Sequence, residues 1–101
     1  MDSYHLGVIG AGGLGQLATQ YAKAMGANVV AVDINDSTLD VAKAQGADAV
    51  FNSKTEPDYV SKIKKLTKSG LHAAAVFSNA QVAYANAPKI IRVGGTLMVV
   101  G

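Results

Sequence analysis

The residues with the clearest chemical meaning lie near the start of the chain: a cluster of glycines and one aspartate. Four glycines fall within GAGGLG, which matches the pattern G-x-G-x-x-G: Gly10, Gly12, Gly13 and Gly15. Asp33 follows 18 residues after Gly15, at the end of an apolar run. A glycine backbone can turn tightly and can approach a ligand closely because it carries no side chain. The pattern predicts a dinucleotide site in which backbone amides hold phosphates and a carboxylate holds a sugar.

Each position in the glycine pattern has a separate mechanical task. Gly10 permits a tight turn off a strand, Gly12 lets a pyrophosphate approach the backbone, and Gly15 lets the following helix lie close to the sheet. The N–H groups near Gly13 and Leu14 have no helical partner, so they can face the phosphates at the positive end of the helix dipole. A turn alone would need only one glycine, and four are entropically costly without a ligand to bind.

Asp33 predicts which dinucleotide is bound. Its carboxylate can accept hydrogen bonds from both ribose hydroxyls of the adenosine half. In NADP a phosphate replaces the 2′ hydroxyl, and two like charges ~4 Å apart repel by about 4 kcal/mol at an effective dielectric of 20. The sequence therefore predicts NAD over NADP. The alternative, that Asp33 caps the next helix, is weaker because Asp36 and Ser37 are better placed to do so.

The elements that must position these residues alternate regularly along the chain. Short apolar runs alternate with segments that have the i, i+3, i+4 apolar spacing of helices. The strands are predicted at residues 5–10, 27–34, 47–52, 72–78 and 94–101, and the helices at 13–25, 36–45, 56–68 and 81–92. Gly26 and Gly46 are predicted to end the first two helices. The fourth strand is predicted only from its place in the alternation, because its alanines have poor β propensity.

Two helices have predicted apolar faces. In the first, the spacing places apolar side chains on one face: Leu14, Leu17, Ala18, Tyr21, Ala22 and Met25. In the third, Tyr59, Ile63 and Leu66 are predicted to point inward, with Pro57 in the first turn. Pro88 is predicted to kink or shorten the fourth helix.

Strict alternation of strands and helices predicts an α/β fold, a Rossmann-like doubly wound parallel sheet of five strands in the order 3-2-1-4-5. Ligands of such sheets bind at the switch point, here between strands one and four. Ser78 and Asn79 follow strand four on this rim, and Val100 and Gly101 end strand five beside it. Polar residues at such a position can also be ordinary loop residues.

Composition excludes several other classes of protein. The chain has 101 residues, a net charge of +2 and no cysteine, so disulfides and thiolate zinc sites are absent and a reducing, cytoplasmic location is expected. No apolar run is long enough to span a membrane, and no secretory signal is evident. The lysine-rich segment 62–68 lacks interleaved aromatics and predicts a solvated helix face, not a nucleic-acid site. His5 and His72 are isolated, so neither a metal site nor a catalytic pair is predicted.

The wording of three segments resembles a known family. GAGGLGQLATQYAKAMGANVVAVDI, AKAQGADAVFNS and RVGGTLMVVG are similar to the cofactor-binding domain of zinc-containing alcohol dehydrogenases, of the microbial and fungal type, in the medium-chain dehydrogenase/reductase superfamily. The likeness runs from about Leu6 to Gly101. It implies an enzyme that oxidises an alcohol by hydride transfer to NAD.

The resemblance also implies roles for single residues. Gly13 and Leu14 are expected to meet the pyrophosphate, Asp33 the adenosine ribose, Ser78 the cofactor at the end of strand four, and Val100 its nicotinamide end. A lysine common in the family five residues after the aspartate is replaced here by Thr38.

The resemblance further implies that residues 1–101 are one domain of a longer enzyme. The family's catalytic zinc, its ligands and its proton relay lie in a separate catalytic domain, so this chain is expected to bind the cofactor without turnover. The family's sixth strand is also expected to be missing, which would leave strand five as an exposed edge where copies of the chain associate.

Two other functions are compatible with the sequence. Regulatory NAD-sensing domains of potassium transport systems also combine a G-x-G-x-x-G turn with an aspartate after strand two. Methyltransferases that use S-adenosylmethionine also place an acid there, but they usually carry a second acid two residues before the first glycine, where this chain has Val8.

Overall fold

The computed structural model describes residues 4–10, 12–77 and 88–99. Its helices and strands are β1 (His5–Ile9), α1 (Gly13–Ala24), β2 (Asn28–Asp33), α2 (Asp36–Ala44), β3 (Ala49–Asn52), α3 (Tyr59–Thr67), β4 (Leu71–Val76) and β5 (Ile91–Val99). The five strands form one sheet in the order β3-β2-β1-β4-β5, and every neighbouring pair is parallel. The predicted fold class and strand order are confirmed. Within these ranges, no helix is both long and apolar enough to cross a membrane.

Apolar side chains project from both faces of the sheet, as expected for a parallel sheet that helices cover on both sides. On one face, residues of β1 and β2 pack with α1 and α2 in a cluster that contains Val8, Val29, Ala31, Leu39 and Ala42. The opposite face packs against α3 in a cluster that contains Ile9, Val30, Val32, Ile63 and Val76. The alternation of neighbouring strand residues between the two clusters explains why these strands are continuous apolar runs in the sequence.

Glycines end the first two helices, as the sequence predicts. Gly26 and Gly46 have φ values of +86° and +107°, in the left-handed region that stops a helix without steric cost. The start of α2 differs from the prediction, because Asn35 is its N-cap. Asn35 has an extended backbone and its side chain accepts a hydrogen bond from the Ser37 N–H at 3.0 Å, whereas Asp36 is already the first helical residue.

The apolar face predicted for the first helix is buried only at its small residues: Ala22 is buried and Ala18 is half-buried. The buried residues of α1 are Gly15, Thr19 and Ala22, all small, because the helix lies too close to the sheet for larger side chains. The bulky residues remain largely exposed: Leu14, Leu17, Tyr21 and Met25.

The interior face of the third helix is shifted by one residue from the prediction. Tyr59 and Ile63 are buried as expected, but Leu66 is 51% exposed and Thr67 is buried in its place. Because α3 begins at Tyr59, after Pro57, its inward residues follow the spacing i, i+4, i+8.

Most of the predicted fourth helix lies outside the described residues. Residues 88–90 are helical, and β5 begins at Ile91, three residues earlier than predicted. The pairing with β4 is irregular at this point, because Leu71 faces Ile91 while Ala73 faces Thr96. The Arg92 guanidinium donates to the Gly70 carbonyl oxygen through Nε (3.1 Å) and Nη2 (3.0 Å), which holds the extra residues of β5 against the start of β4.

Candidate functional site

The candidate site lies at the carboxyl ends of β1, β2 and β4. The Gly10 N–H donates to the Val32 carbonyl oxygen at 2.7 Å, and the Phe77 N–H donates to the Ile9 carbonyl oxygen at 2.8 Å. These bonds hold β1 to both neighbours up to its last residue. Beyond that point the chain after β1 turns into α1 on one face, while β3 and β4 are joined across the other face. The resulting crevice is the switch point of the sheet.

Two of the glycines in the turn are required by the protein itself. Gly10 has a φ of +85°, which a residue with a side chain rarely adopts. A Cβ at Gly15 would lie against the carbonyl oxygen of Gly10, closer than any contact distance. Gly10 therefore makes the turn possible, and Gly15 brings α1 onto the end of β1.

The described residues give the other two glycines no such role. Gly12 has ordinary extended backbone angles, with φ −78° and ψ −177°. A Cβ at Gly12 or at Gly13 would meet no described atom within 4 Å. Within the part of the chain that the structure describes, neither backbone geometry nor packing requires these two positions to lack a side chain, and both border an open crevice.

The first turn of α1 presents backbone donors to this crevice. The first helical hydrogen bond runs from the Gln16 N–H to the Gly12 carbonyl oxygen at 3.1 Å. The N–H groups of the preceding turn, at Gly13, Leu14 and Gly15, consequently have no acceptor within the helix. No acidic residue occupies this turn, so nothing there opposes an anion at the positive end of the helix dipole.

Asp33 ends β2 on the same side of the sheet. Its Oδ1 accepts hydrogen bonds from the N–H groups of Ile34 at 2.6 Å and Asn35 at 3.1 Å. These bonds fix the carboxylate relative to the loop that follows the strand. The side chain is half-buried and lines the crevice opposite the glycine turn.

The crevice has a volume of about 350 Å³. The described residues that line it are Gly10, Gly12, Gly13, Leu14, Asp33 and Phe77. Five of the eight residues predicted from the sequence thus surround one space, and Gly15 lies behind them. The other two predicted residues, Ser78 and Val100, lie outside the described residues, so their roles stay predictions.

Sequence reasoning did not identify Phe77 or Asn52, and both belong to this region. Phe77 forms a wall of the crevice immediately before the predicted rim residue Ser78. Asn52 ends β3, is 5% exposed and hydrogen-bonds the loop after Asp33. A polar residue at the carboxyl end of a predicted parallel strand is the signal that could have identified Asn52.

A larger groove, of about 740 Å³, lies on the sheet face that carries α1. Its floor includes Ala73 and Ala75, and its walls include Leu17, Tyr21 and Met98. None of its described lining residues is charged, and it offers no cluster of donors for phosphates. The smaller crevice is therefore the better candidate for a dinucleotide, and the groove is an apolar surface.

The described residues do not fit a zinc site. No three His, Asp or Glu side chains come together within the ranges 4–10, 12–77 and 88–99, and the sequence contains no cysteine. His5 and His72 stack on each other with ring centroids 5.9 Å apart, at the opposite end of the strands from the crevice.

The lysine-rich segment forms part of α3 and its flank. Lys62 pairs with Glu56 at 2.8 Å and lies 3.7 Å from Asp58. The hydrogen bond to Glu56 raises the pKa of Lys62 above its usual value, and the charge of Asp58 adds to the effect. Lys62 is thus neutralised locally by its own neighbours, as in a solvated helix face.

Comparison with known proteins gives consistent results. A family model described as zinc-binding dehydrogenase matches residues 13–101. An alcohol dehydrogenase of Geobacillus stearothermophilus is 48% identical over 94 residues, which are 93% of this chain and 27% of that enzyme. This chain thus spans little more than a quarter of the length of that curated relative.

Solved structures give the same result at the level of the fold. The benzyl alcohol dehydrogenase of Acinetobacter calcoaceticus matches with a TM-score of 0.92 and 34% identity, over 100% of this chain and 28% of that one. A mycobacterial protein solved in complex with NADPH matches with a TM-score of 0.85 and 25% identity, over 100% of this chain and 32% of that one.

Proposed function

The chain belongs to the zinc-binding dehydrogenase family, and from this premise we propose that it is the NAD-binding domain of an alcohol dehydrogenase. The parent enzyme would transfer a hydride between an alcohol and NAD. The 48% identity to a curated alcohol dehydrogenase supports this proposal, although the match covers 27% of that enzyme.

The observation that carries the proposal is the open space at Gly12. Among the described residues, neither backbone angles nor packing requires a glycine at this position, and a larger side chain would stand at the border of the crevice that Asp33 also lines. A pyrophosphate approaching the backbone supplies a reason for a glycine there.

The residues of the crevice divide the work of binding. The N–H groups at Gly13 and Leu14 donate to the pyrophosphate, and the helix dipole favours its charge. The Asp33 carboxylate accepts from the adenosine ribose, and Phe77 bounds the space at the end of β4. When bound, the nicotinamide ring supplies the hydride chemistry. Ser78 and Val100 are proposed to contact the cofactor nearer this ring.

Asp33 supports NAD as the preferred form. The fold alone does not decide between the two dinucleotides, because a structural relative was solved with NADPH. A 2′-phosphate beside the Asp33 carboxylate would meet a like charge in a partly desolvated site. The repulsion is about 4 kcal/mol at ~4 Å and an effective dielectric of 20.

The chain alone is proposed to bind cofactor without turnover. The family is described as zinc-binding and this chain covers 27% of its curated relative, so we propose that the Lewis acid and its ligands lie in a separate catalytic domain of the parent enzyme. The apolar groove beside α1 is the proposed contact surface for that additional polypeptide, since parallel sheets are covered on both faces. In the parent enzyme, hydrogen exchange at groove residues should be slower than in this chain; equal exchange would reject the contact.

The exposed edge of β5 supports a further association between copies of the chain. Among the described strands, β5 pairs with β4 only, and Val93, Met98 and Val99 on it are exposed. An edge strand of this kind offers unpaired backbone groups to a second strand. We therefore propose a homo-oligomer formed through the β5 edge.

Calorimetric titration of the chain tests the proposed function. The chain should bind NAD, should bind NADP more weakly, and should not bind S-adenosylmethionine. The same sample should not reduce NAD with ethanol. Failure to bind either nicotinamide dinucleotide would reject the proposal, and zinc-independent turnover would show that the catalytic groups lie in this chain. No observation favours the regulatory domain of a potassium transport system.

A further inference from the structure

Asn52 differs from the other buried polar residues of the described chain. Thr19 and Thr67 are also buried, and each donates its hydroxyl to a carbonyl of its own helix, at Gly15 and Ile63; the Thr67 hydroxyl also accepts from the Gly70 N–H, three residues further on. Asn52, at the end of β3, instead uses its side-chain amide to contact two separate loops. A buried amide is costly unless its donors and acceptor are satisfied, so these contacts constrain both loops.

The donor side of the amide contacts the loop between β2 and α2 and the first residue of α2. Asn52 Nδ2 donates to Asp36 Oδ1 at 2.8 Å and to the Ile34 carbonyl oxygen at 3.3 Å. The acceptor side, Oδ1, receives the N–H groups of Lys54 at 2.9 Å and Thr55 at 3.1 Å. Reversing the amide would place donor against donor and acceptor against acceptor, so only one orientation satisfies all four partners.

The loop that Asn52 holds is the one that orients Asp33. The Asp33 carboxylate bonds the N–H groups of Ile34 and Asn35, and Asn52 bonds the carbonyl of Ile34 and the side chain of Asp36. The same loop is therefore fixed from both sides. A shift of the loop would move the N–H groups that fix the Asp33 carboxylate, and with them the direction of the carboxylate.

We propose that Asn52 is a positioning residue that orients Asp33, through the β2–α2 loop, for recognition of the adenosine ribose. This role rests on the proposed NAD-binding function. It makes Asn52 a determinant of the choice between NAD and NADP. Asn52 does not line the crevice, so its effect on the cofactor passes through Asp33. Without the Asn52 amide the loop is free to move, which weakens the hydrogen bond between Asp33 and the ribose 2′ hydroxyl. The contacts with the pyrophosphate are unaffected.

Hydrogen exchange of the free chain tests the positioning step without any ligand. Asn52→Ala should speed amide exchange at Ile34 and Asn35 by about tenfold or more, because the loop opens locally. Thr67→Val is the matched control: it also removes buried side-chain hydrogen bonds but lies far along α3. It should leave exchange at Ile34 and Asn35 unchanged. Unchanged exchange in Asn52→Ala would overturn the proposal, whatever the chain binds.

Titration with NAD and NADP, well below the melting temperature of each variant, tests the effect on recognition. Asn52→Ala should weaken NAD binding by about tenfold and NADP binding less, the size expected for losing a charge-assisted hydrogen bond. Thr67→Val should leave the ratio of the two affinities unchanged even if it lowers the melting temperature.

A reciprocal exchange of the amide and carboxylate provides the rescue. Asn52→Asp alone places a carboxylate against that of Asp36 and should lower the ratio of NAD affinity to NADP affinity. Adding Asp36→Asn again places one amide donor against one carboxylate acceptor, so the double variant should recover most of the original affinity ratio. If the unmodified chain binds NAD but none of these variants changes the ratio of NAD affinity to NADP affinity, the role of Asn52 is rejected and the proposed function stands. If the unmodified chain binds neither dinucleotide while amide hydrogen exchange at Ile34 still depends on Asn52, the proposed function is rejected.

Discussion

Asp33 combines two roles at the scale of single residues. It fixes its own loop through the N–H groups of Ile34 and Asn35, and it lines the crevice where the ribose is proposed to bind. The first role needs only an oxygen acceptor, whereas the exclusion of NADP needs a negative charge. The two roles can therefore be separated by a substitution that keeps the oxygen and removes the charge.

Asp33→Asn should weaken NAD binding by about tenfold and should improve NADP binding relative to NAD. The amide oxygen can still accept from the loop, so the melting temperature should change little. Asp40→Asn, on the exposed side of α2, changes the net charge equally and serves as the control. Calorimetry with both dinucleotides measures the result. An unchanged preference would mean that Asp33 does not face the ribose.

At the scale of elements, the contact between α1 and β1 depends on Gly15. A Cβ there would lie against the Gly10 carbonyl oxygen, which is backbone and cannot move aside. Gly15→Ala should therefore lower the free energy of unfolding by about 1–3 kcal/mol, the usual cost of overpacking. Gly13→Ala, whose Cβ meets open space, should be neutral or slightly stabilising because alanine favours helix. Urea denaturation of both variants makes the comparison, and equal stabilities would contradict the close contact.

Asp48 connects α1 to β2 and gives the fold a pH dependence. Its Oδ2 accepts from Lys23 Nζ at 2.9 Å and from the Val29 N–H at 2.7 Å. Burial of the carboxyl opposes ionisation, but the hydrogen bonds from Lys23 and Val29 outweigh it and lower the pKa of Asp48 below 3.8. Because the folded pKa is lowered, the ionised carboxylate adds stability above pH 3.8, and this contribution is lost as the pH falls through the folded value.

Asp48→Ala should consequently reduce the free energy of unfolding near neutral pH by about 1 kcal/mol, since the pair is partly exposed. The difference from the unmodified chain should shrink as the pH falls below 3.8. Denaturation at several pH values measures it. A difference that grows toward low pH would contradict the lowered pKa.

The sequence predicts the order and type of the helices and strands better than it predicts which face of each helix is buried. Strand order, the parallel sheet and the glycine helix ends follow from alternation and backbone chemistry, which are local. The buried face of α1 does not, because it depends on how closely Gly15 brings the helix to the sheet. Likewise, the predicted glycines and Asp33 surround one crevice, whereas Asn52 acts through contacts between distant loops that spacing does not reveal.

At the scale of the whole molecule, the β5 edge predicts self-association. Light scattering should show an average mass that rises with concentration. Val99→Lys should reduce this rise, because a charge on an edge strand disfavours pairing with another strand. Leu66→Lys changes a similarly exposed side chain on α3, away from the edge, and should have no effect. A monomer at every concentration would reject association through β5.

The central claim is that the open space at Gly12 exists for a dinucleotide, and Gly12→Asn tests it most directly. Asparagine is a preferred N-cap, so the variant should fold at least as stably as the unmodified chain, while its side chain occupies the space at the start of α1 and competes for the N–H groups proposed to bind the pyrophosphate. Calorimetric titration with NAD should then show binding to the unmodified chain and a loss of more than about tenfold in the variant. Equal NAD affinity in both proteins would contradict the claim.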